Sequence, residues 1–410
     1  MTAPLTLSQR FAELDRLLCC NRHFWQLRSF ELMTPPWHDS QLQSWLISLS
    51  SIERQRLLND DKQRAQALTP FIPQAEHLLQ LCQVDSATSS SAETNSEEAS
   101  PAWLSYHIPG RKWSQICAFD QALYDTDRPF IEWCAGKGHL GRLLAHRHQQ
   151  PVTSLELQPQ LCQHGQQLAD QRRLPCTHHA IDVMSSAASQ QLQPEQHAVA
   201  LHACGKLHIR LLEEGVKHGV KSISLSPCCY HLIDLPDDQP SHPRRYQPLS
   251  QIVATSALRL NRDDLGLAVQ ETVTAGAREQ RLRQQQLSWR LGFDLLQRQI
   301  RGIDRYLNCP TIPQSRLSGS FTEFCHWMAE RKQLSLPAGI DFEQFEQRGL
   351  QRVQTTQQIE LVQQLFRRPL ELWLVLDRAL YLQQHGYQVT LQQFCSRQLT
   401  PRNLLIQARQ

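Results

Sequence analysis

Between Phe130 and Ser226 the chain alternates short apolar or β-branched runs with stretches whose apolar residues recur at helical spacing. Phe130–Trp133, Val152–Glu156, Thr177–Ile181, His197–Ala203 and Lys221–Ser226 have the length and composition of single strands, while Leu140–Arg147 and Pro159–Arg172 carry the helical period. Strands joined through helices pair in parallel, because a parallel neighbour needs a crossover connection. The pattern therefore predicts an α/β fold built on a doubly wound, Rossmann-like sheet. Near the other end, Ile359–Gln384 reads as a helix and Tyr387–Cys395 and Asn403–Ala408 as strands, which predicts a closing helix and an antiparallel hairpin.

The remaining residues must be attached to that core. Leu5–Leu18, Ser40–Leu49, Ser51–Leu68 and Ile72–Leu81 repeat apolar residues every three or four positions, so residues 1–83 are expected to form a helical module. Residues 84–101 are rich in Ser, Thr and Glu with almost nothing to bury, the composition of a flexible linker. Residues 102–410 then hold the sheet domain, interrupted by a helical insertion at about 236–356. Leu370–Leu382, the longest apolar stretch, is broken by Glu371, Asp377 and Arg378, short of the roughly 18 apolar residues a membrane span needs. The first ten residues lack the basic and apolar regions of an export signal, and thirteen cysteines, an odd number without a repeating spacing, do not suggest a disulfide framework. A cytoplasmic protein with reduced thiols is expected. A formal net charge of +3 is too mild to name a nucleic-acid partner.

The turn after the first expected strand constrains function most. Cys134–Gly138 links that strand to a helix beginning near His139, so free amides and the positive end of a helix dipole face the same space, and Gly136 and Gly138 allow close approach. This suits a nucleotide-like cofactor, although a tight turn without a ligand has the same composition. Glu156 ends the next strand about 20 residues later, where related folds place an acid against ribose hydroxyls. Asp182, after the third strand, is positioned to meet an adenine edge. Glu132 either orients the turn or binds the cationic end of a ligand. The Gly-x-x-x-x-Gly-Lys-Ser/Thr spacing of a phosphate loop is absent around Lys137.

Glu132-x-Cys-Ala-Gly-Lys-Gly-His-Leu140, Leu201-His-Ala-Cys-Gly-Lys-Leu207, Ser226-Pro-Cys-Cys-Tyr-His231 and Thr400-Pro-Arg-Asn-Leu-Leu-Ile406 resemble the methyltransferase-like protein 25 family. More distantly they resemble the acceptor-stem tRNA ribose 2′-O-methyltransferases. The likeness covers roughly residues 103–235 and the last 50 residues. It implies a class I methyltransferase fold binding S-adenosylmethionine through Glu132, Cys134, Gly136, Gly138, Glu156, Asp182 and His202. Cys134 departs from the pattern, because such turns commonly have glycine there and a side chain calls for a conventional φ.

His202, Cys204, Cys228, Cys229, Tyr230 and His231 follow the fourth and fifth strands and are expected to share one cleft. Methyl transfer is an in-line displacement in which the protein positions the acceptor and manages its proton. As a substrate pocket, the cluster would use Tyr230 to stack on or hydrogen-bond the acceptor and His202 or His231 to take its proton. Cys229 with a histidine would make a nucleophilic pair. As a zinc site, Cys204, Cys228 or Cys229, and His231 would supply ligands, but the paired Cys-x-x-Cys units are lacking and no metal ligand is assigned; as plain core it is a group of packed thiols.

The substrate is read from charge. Arg278, Arg281, Arg283, Arg290, Arg298, Arg301 and Arg305 in the insertion, with Trp289 or Tyr306, would suit RNA phosphates and stacked bases, and Arg111, Lys112 and Trp113 add a second patch. An ordinary solvated helix has the same composition. RNA, as tRNA or rRNA, is the expected substrate through the family likeness. A translation-related protein as substrate and a non-catalytic binding protein on the same fold are the other readings.

Overall fold

The computed structural model describes residues 5–86, 101–235, 245–270, 277–310 and 312–410. Most of the expected linker and the start of the expected insertion, at 236–244, lie outside the described residues. The strands are β1 (Asp85–Ser86), β2 (Phe130–Trp133), β3 (Val152–Glu156), β4 (Cys176–Ala180), β5 (His197–Cys204), β6 (Ser222–Cys228), β7 (Gln388–Gln393) and β8 (Leu404–Arg409). They form one sheet in the order β1-β7-β8-β6-β5-β2-β3-β4. β2 to β6 pair in parallel, and β8 runs antiparallel to both β6 and β7. The fold is thus mixed α/β around a mostly parallel sheet. Asp85 and Ser86, expected as linker, instead pair with Gln392 and Gln393 at the sheet edge.

The described residues group into two compact units: Met1–Cys19 with Gln80–Glu271 and Arg367–Gln410, and Cys20–Leu79 with Thr272–Phe366. This grouping differs from a boundary at residue 83. In the first unit the helices Gly110–Gln121 and His139–His148 bury Ile116, Phe119, Leu140, Leu143 and Leu144 against Phe130, Val152 and Val199 of the sheet. Several polar side chains of the inner strands are partnered with one another. His197 bonds Ser224 Oγ at 2.8 Å, Ser224 donates to Gln407 Oε1 at 3.2 Å, and Gln407 Nε2 donates to Ala122 O at 2.9 Å. A hydrogen-bonded chain of this kind offsets part of the cost of burying it.

The second unit is helical, with Trp289, Phe293, Phe321, Phe324, Met328 and Phe345 in its core. Asp294 is fully buried there and accepts from Gln297, Arg298 and Arg352. Ser51–Leu68, expected as one helix, is two, Ser51–Asn59 and Asp61–Leu68. Asp60 breaks it by accepting from the backbone N–H groups of Lys62 and Gln63, the competition between side chain and helix that favours Asp at an N-cap. The closing helix begins at Phe342, not Ile359, and ends at Gln384. Among the described residues no helix is long and apolar enough to cross a membrane.

Candidate active site

β2 and β5 are neighbours, yet the chain passes from β2 outward to β4 before returning to β5. The strand order reverses between them, and open α/β sheets bind ligands in the crevice beyond the carboxyl ends at such a point; here the Cys134–Gly138 turn and His202–Cys204 stand at those ends. The turn alternates left-handed residues: Cys134 has φ 60°, Gly136 59° and Gly138 61°. The conventional φ expected for Cys134 is therefore corrected. A side chain in this region costs about 1–2 kcal/mol, and the surrounding bonds hold the turn in place. Ala135 N–H donates to Leu155 O, and Gly138 N–H to Ala135 O, both at 2.9 Å. Glu156 takes Gly136 N–H on Oε2 at 2.9 Å and Gln158 N–H on Oε1 at 3.0 Å. A Cβ built on Gly136 would meet nothing within 4 Å, so the space over this residue is open.

Glu132 does not face that space. Its Oε2 accepts from Gly141 N–H at 3.1 Å and Ser154 Oγ at 2.9 Å, tying β2 and β3 to the first turn of the following helix. Of the two roles expected for Glu132, this placement favours orienting the turn. Burial pushes its pKa up to about 7, against the lowering effect of these two hydrogen bonds. The native state thus holds the Glu132 proton more tightly than the unfolded chain does. Stability from this group is complete below the unfolded pKa near 4.5 and is lost as pH rises through about 7. Glu132→Gln should remove that loss. The difference in unfolding free energy between wild type and variant, followed by denaturant titration from pH 5 to 8, should change by roughly 2–3 kcal/mol. A difference independent of pH would refute the assignment.

Beneath the turn lies a residue the sequence did not single out. The His178 ring fills the space between Gly138 and Gly165, whose Cβ atoms, if present, would lie 2.2 and 2.5 Å from its Nε2. Both ring nitrogens are buried without a hydrogen-bond partner, and burial, assisted by Arg142, lowers the pKa to about 4.

Asp182 is exposed, with Oδ1 accepting from Met184 N–H at 2.9 Å. Around the half-buried Cys134 thiol, Glu156, Cys204, Glu132 and Asp182 all lie within electrostatic reach. Burial above all, reinforced next by the Glu156 carboxylate, raises its pKa to about 12. Cys134 is thus a neutral wall of the crevice.

At the β5 end, His202 stands at φ 71°, and a register shift between Leu201 and Cys204 marks an irregularity in the strand. His202 Nε2 lies 3.1 Å from Gln115 Oε1, while Gln115 Nε2 donates to Leu399 O at 2.9 Å. The carbonyl partner fixes the amide orientation, so Nε2 carries the imidazole proton and Nδ1 presents a lone pair. Burial lowers the His202 pKa and keeps the ring neutral at physiological pH. Gln115 is thus a positioning residue, 87 positions away in sequence, that no local motif reveals.

The expectation that Tyr230 stacks on or hydrogen-bonds an acceptor is corrected. Its side chain is fully buried, with Arg378 5.4 Å from the ring centroid and the His208 ring edge-on at 6.0 Å. A ring with no accessible surface belongs to the core. His231 is half-buried, and its Nδ1 is enclosed without a partner. Cys204 Sγ lies 3.5 Å from Cys228 Sγ and 3.2 Å from Cys229 Sγ. Within this trio, hydrogen bonds from Cys204 and Cys228, with His231 and Arg402 nearby, push the Cys229 thiol well below its usual range.

The crevice thus joins a glycine-containing strand-to-helix turn, an acid at the next strand end and a neutral histidine across the switch point. Residues 113–235 match the family model described as "Methyltransferase domain". The match supports a methyltransferase. No curated protein and no solved structure matches the chain.

Behind the turn is a pocket of about 200 Å³. Lys137, Arg142, Arg172, His139 and His164 line it together with Trp103 and Tyr106, and its lining contains no carboxylate. Arg172 lies 5.0 Å from the Trp103 ring centroid. His139 accepts from Arg142 at 2.7 Å, and burial together with Arg142, Lys112 and Lys137 lowers its pKa to about 3. Several of the insertion's candidate residues are engaged within the protein. Trp289 is buried and donates to Glu346 Oε1 at 2.8 Å, so it offers no face to a base. Arg298 is held by Asp294 and Asp304, and Arg290 donates to Pro310 O. Tyr306 packs edge-on against Phe30 at 4.9 Å.

Proposed function

We propose that this chain is an S-adenosylmethionine-dependent methyltransferase acting on RNA. The observation that carries the cofactor reading is Glu156, whose two oxygens hold both the glycine turn and the start of the next helix while bordering the open space over Gly136. Each carboxylate oxygen keeps a second acceptor site for a ribose hydroxyl. Asp182 and the neutral Cys134 complete the wall. S-adenosylmethionine, when bound, supplies a methyl group on a positively charged sulfur. The protein's part is to align the acceptor in line with the carbon–sulfur bond and to take the proton the acceptor loses. Neutral His202, with Nδ1 as its free lone pair and Nε2 anchored by Gln115, is suited to the second task.

The RNA reading is supported by the pocket behind the turn, where cations and aromatic rings meet without a carboxylate to neutralise them. Phosphates favour the cations, and bases favour the rings. Lys137→Ala and Arg172→Ala should each weaken RNA binding and reduce the slope of log affinity against log salt by about one. The reading is tested by incubating the protein with methyl-labelled S-adenosylmethionine and separate pools of unmodified tRNA, rRNA and protein. Label should enter RNA. Label in protein alone would replace RNA with a protein substrate, and no S-adenosylmethionine binding in calorimetry would leave a non-catalytic scaffold.

A further inference from the structure

We propose that Cys204, Cys228 and Cys229 form a three-thiolate zinc site at the carboxyl ends of β5 and β6. The Sγ atoms all lie within 4.8 Å of one another, with separations of 3.5 Å between Cys204 and Cys228 and 3.2 Å between Cys204 and Cys229. Tetrahedral zinc with Zn–S bonds of about 2.3 Å places its sulfurs about 3.8 Å apart, so small outward shifts accommodate the ion. Soft thiolate donors select zinc over the hard oxygen-seeking cations.

The backbone is shaped to bring these atoms together. Cys204 and Cys228 are paired across β5 and β6 after the register shift, and Cys229 follows at φ 50°, a left-handed conformation that turns its side chain back towards them. Gly205, at φ 55°, donates its N–H to Cys228 O at 3.1 Å, and a Cβ there would lie 2.6 Å from the Leu232 backbone. The two thiol-bearing segments are therefore locked against each other. Left-handed His202 and Cys229 are strained positions, and such strain gathers where a site requires it. Simple packing of three thiols does not call for this arrangement, whereas a shared ion does.

The Cys-x-x-Cys pairs that the sequence lacks are not needed, because two adjacent strand ends supply the ligands. Binding forms a Zn–S bond at each cysteine and releases any thiol proton to solvent. Three protein ligands leave a fourth position open, as in catalytic zinc sites. His231, within electrostatic reach of Cys229, is in the same segment and has an enclosed Nδ1 without a partner.

The test uses the full chain, purified under reducing conditions, with zinc sulfate and cobalt chloride as probes. Metal analysis after competition with a chromophoric chelator should give one zinc per chain, and Cys204→Ser and Cys229→Ser should each weaken zinc binding at least tenfold. Cys395→Ser, which alters another buried thiol, should bind as wild type does. The cobalt form should show an intense thiolate-to-cobalt absorption that Cys228→Ser diminishes. Absence of zinc and of this absorption in folded wild-type protein would overturn the proposal, whatever happens to the variants. A Cys204–Cys229 disulfide in freshly isolated, alkylated protein would also overturn it. None of these readouts requires methyl transfer, so their failure leaves the methyltransferase reading intact.

Discussion

Gly138→Ala should destabilise the sheet-bearing unit by about 3 kcal/mol and abolish cofactor binding, whereas Gly136→Ala should cost only about 1 kcal/mol. Both residues are left-handed, so both substitutions meet the same intrinsic penalty. They differ in what the new methyl group meets. At Gly136 it enters open space, but at Gly138 it lies 2.2 Å from His178 Nε2. The ring has nowhere to go, because Gly165 already crowds its other side. Either the imidazole leaves its slot or the helix beginning at His139 shifts, and both disturb the turn. Chemical denaturation and calorimetric titration with S-adenosylmethionine check this. Adding His178→Ala to Gly138→Ala should restore part of the lost stability by emptying the slot. Equal costs at the two glycines would show that the slot is not rigid.

Glu156→Ala should reduce S-adenosylmethionine affinity by two to three orders of magnitude. The substitution removes the acceptors for Gly136 N–H and Gln158 N–H and, on the proposed reading, those for the ribose hydroxyls. Hydrogen bonds to a charged group contribute about 1.5–3 kcal/mol each, and 1.4 kcal/mol is a factor of ten in affinity. Glu156→Gln keeps one acceptor oxygen and should lose about tenfold. Affinity measured by calorimetry at fixed pH separates the cases, and wild-type affinity in Glu156→Ala would remove this residue from the cofactor site.

These two residues were legible in the sequence for a physical reason. A strand-to-helix turn needs small residues in consecutive positions, and the acid that faces it must end the neighbouring strand, so both leave a fixed spacing. The inner strands β2, β5 and β6 were equally visible, because largely buried runs stand out between helices. Elsewhere the signal is weaker. The helix Phe342–Gln384 was expected to start at Ile359 because its earlier part buries polar side chains, Arg352 and Thr356 among them, and hydrophobic periodicity cannot register these. Cys134 was expected at a conventional φ because sequence preference describes the residue alone, while its observed conformation is set by a turn pinned at Ala135 and Gly136. Gln115 and His178 went unnoticed since their roles depend on proximity in space. Tyr230 was placed in the cleft by its neighbours in sequence, although the turn at Cys229 sends its ring into the core.

The position of β8 also governs when the sheet can be completed during synthesis. β8 lies between β6 and β7, and Ser224 of β6 meets Gln407 of β8 across 183 residues of chain. Until residues 404–409 leave the ribosome, β6 ends the nascent sheet with an unpaired edge, and β7 has no strand through which to join it. Such long-range closure is slow, and an open apolar edge invites pairing with other chains. A nascent copy that stalls before β8 therefore presents β6 as a ready template for aggregation.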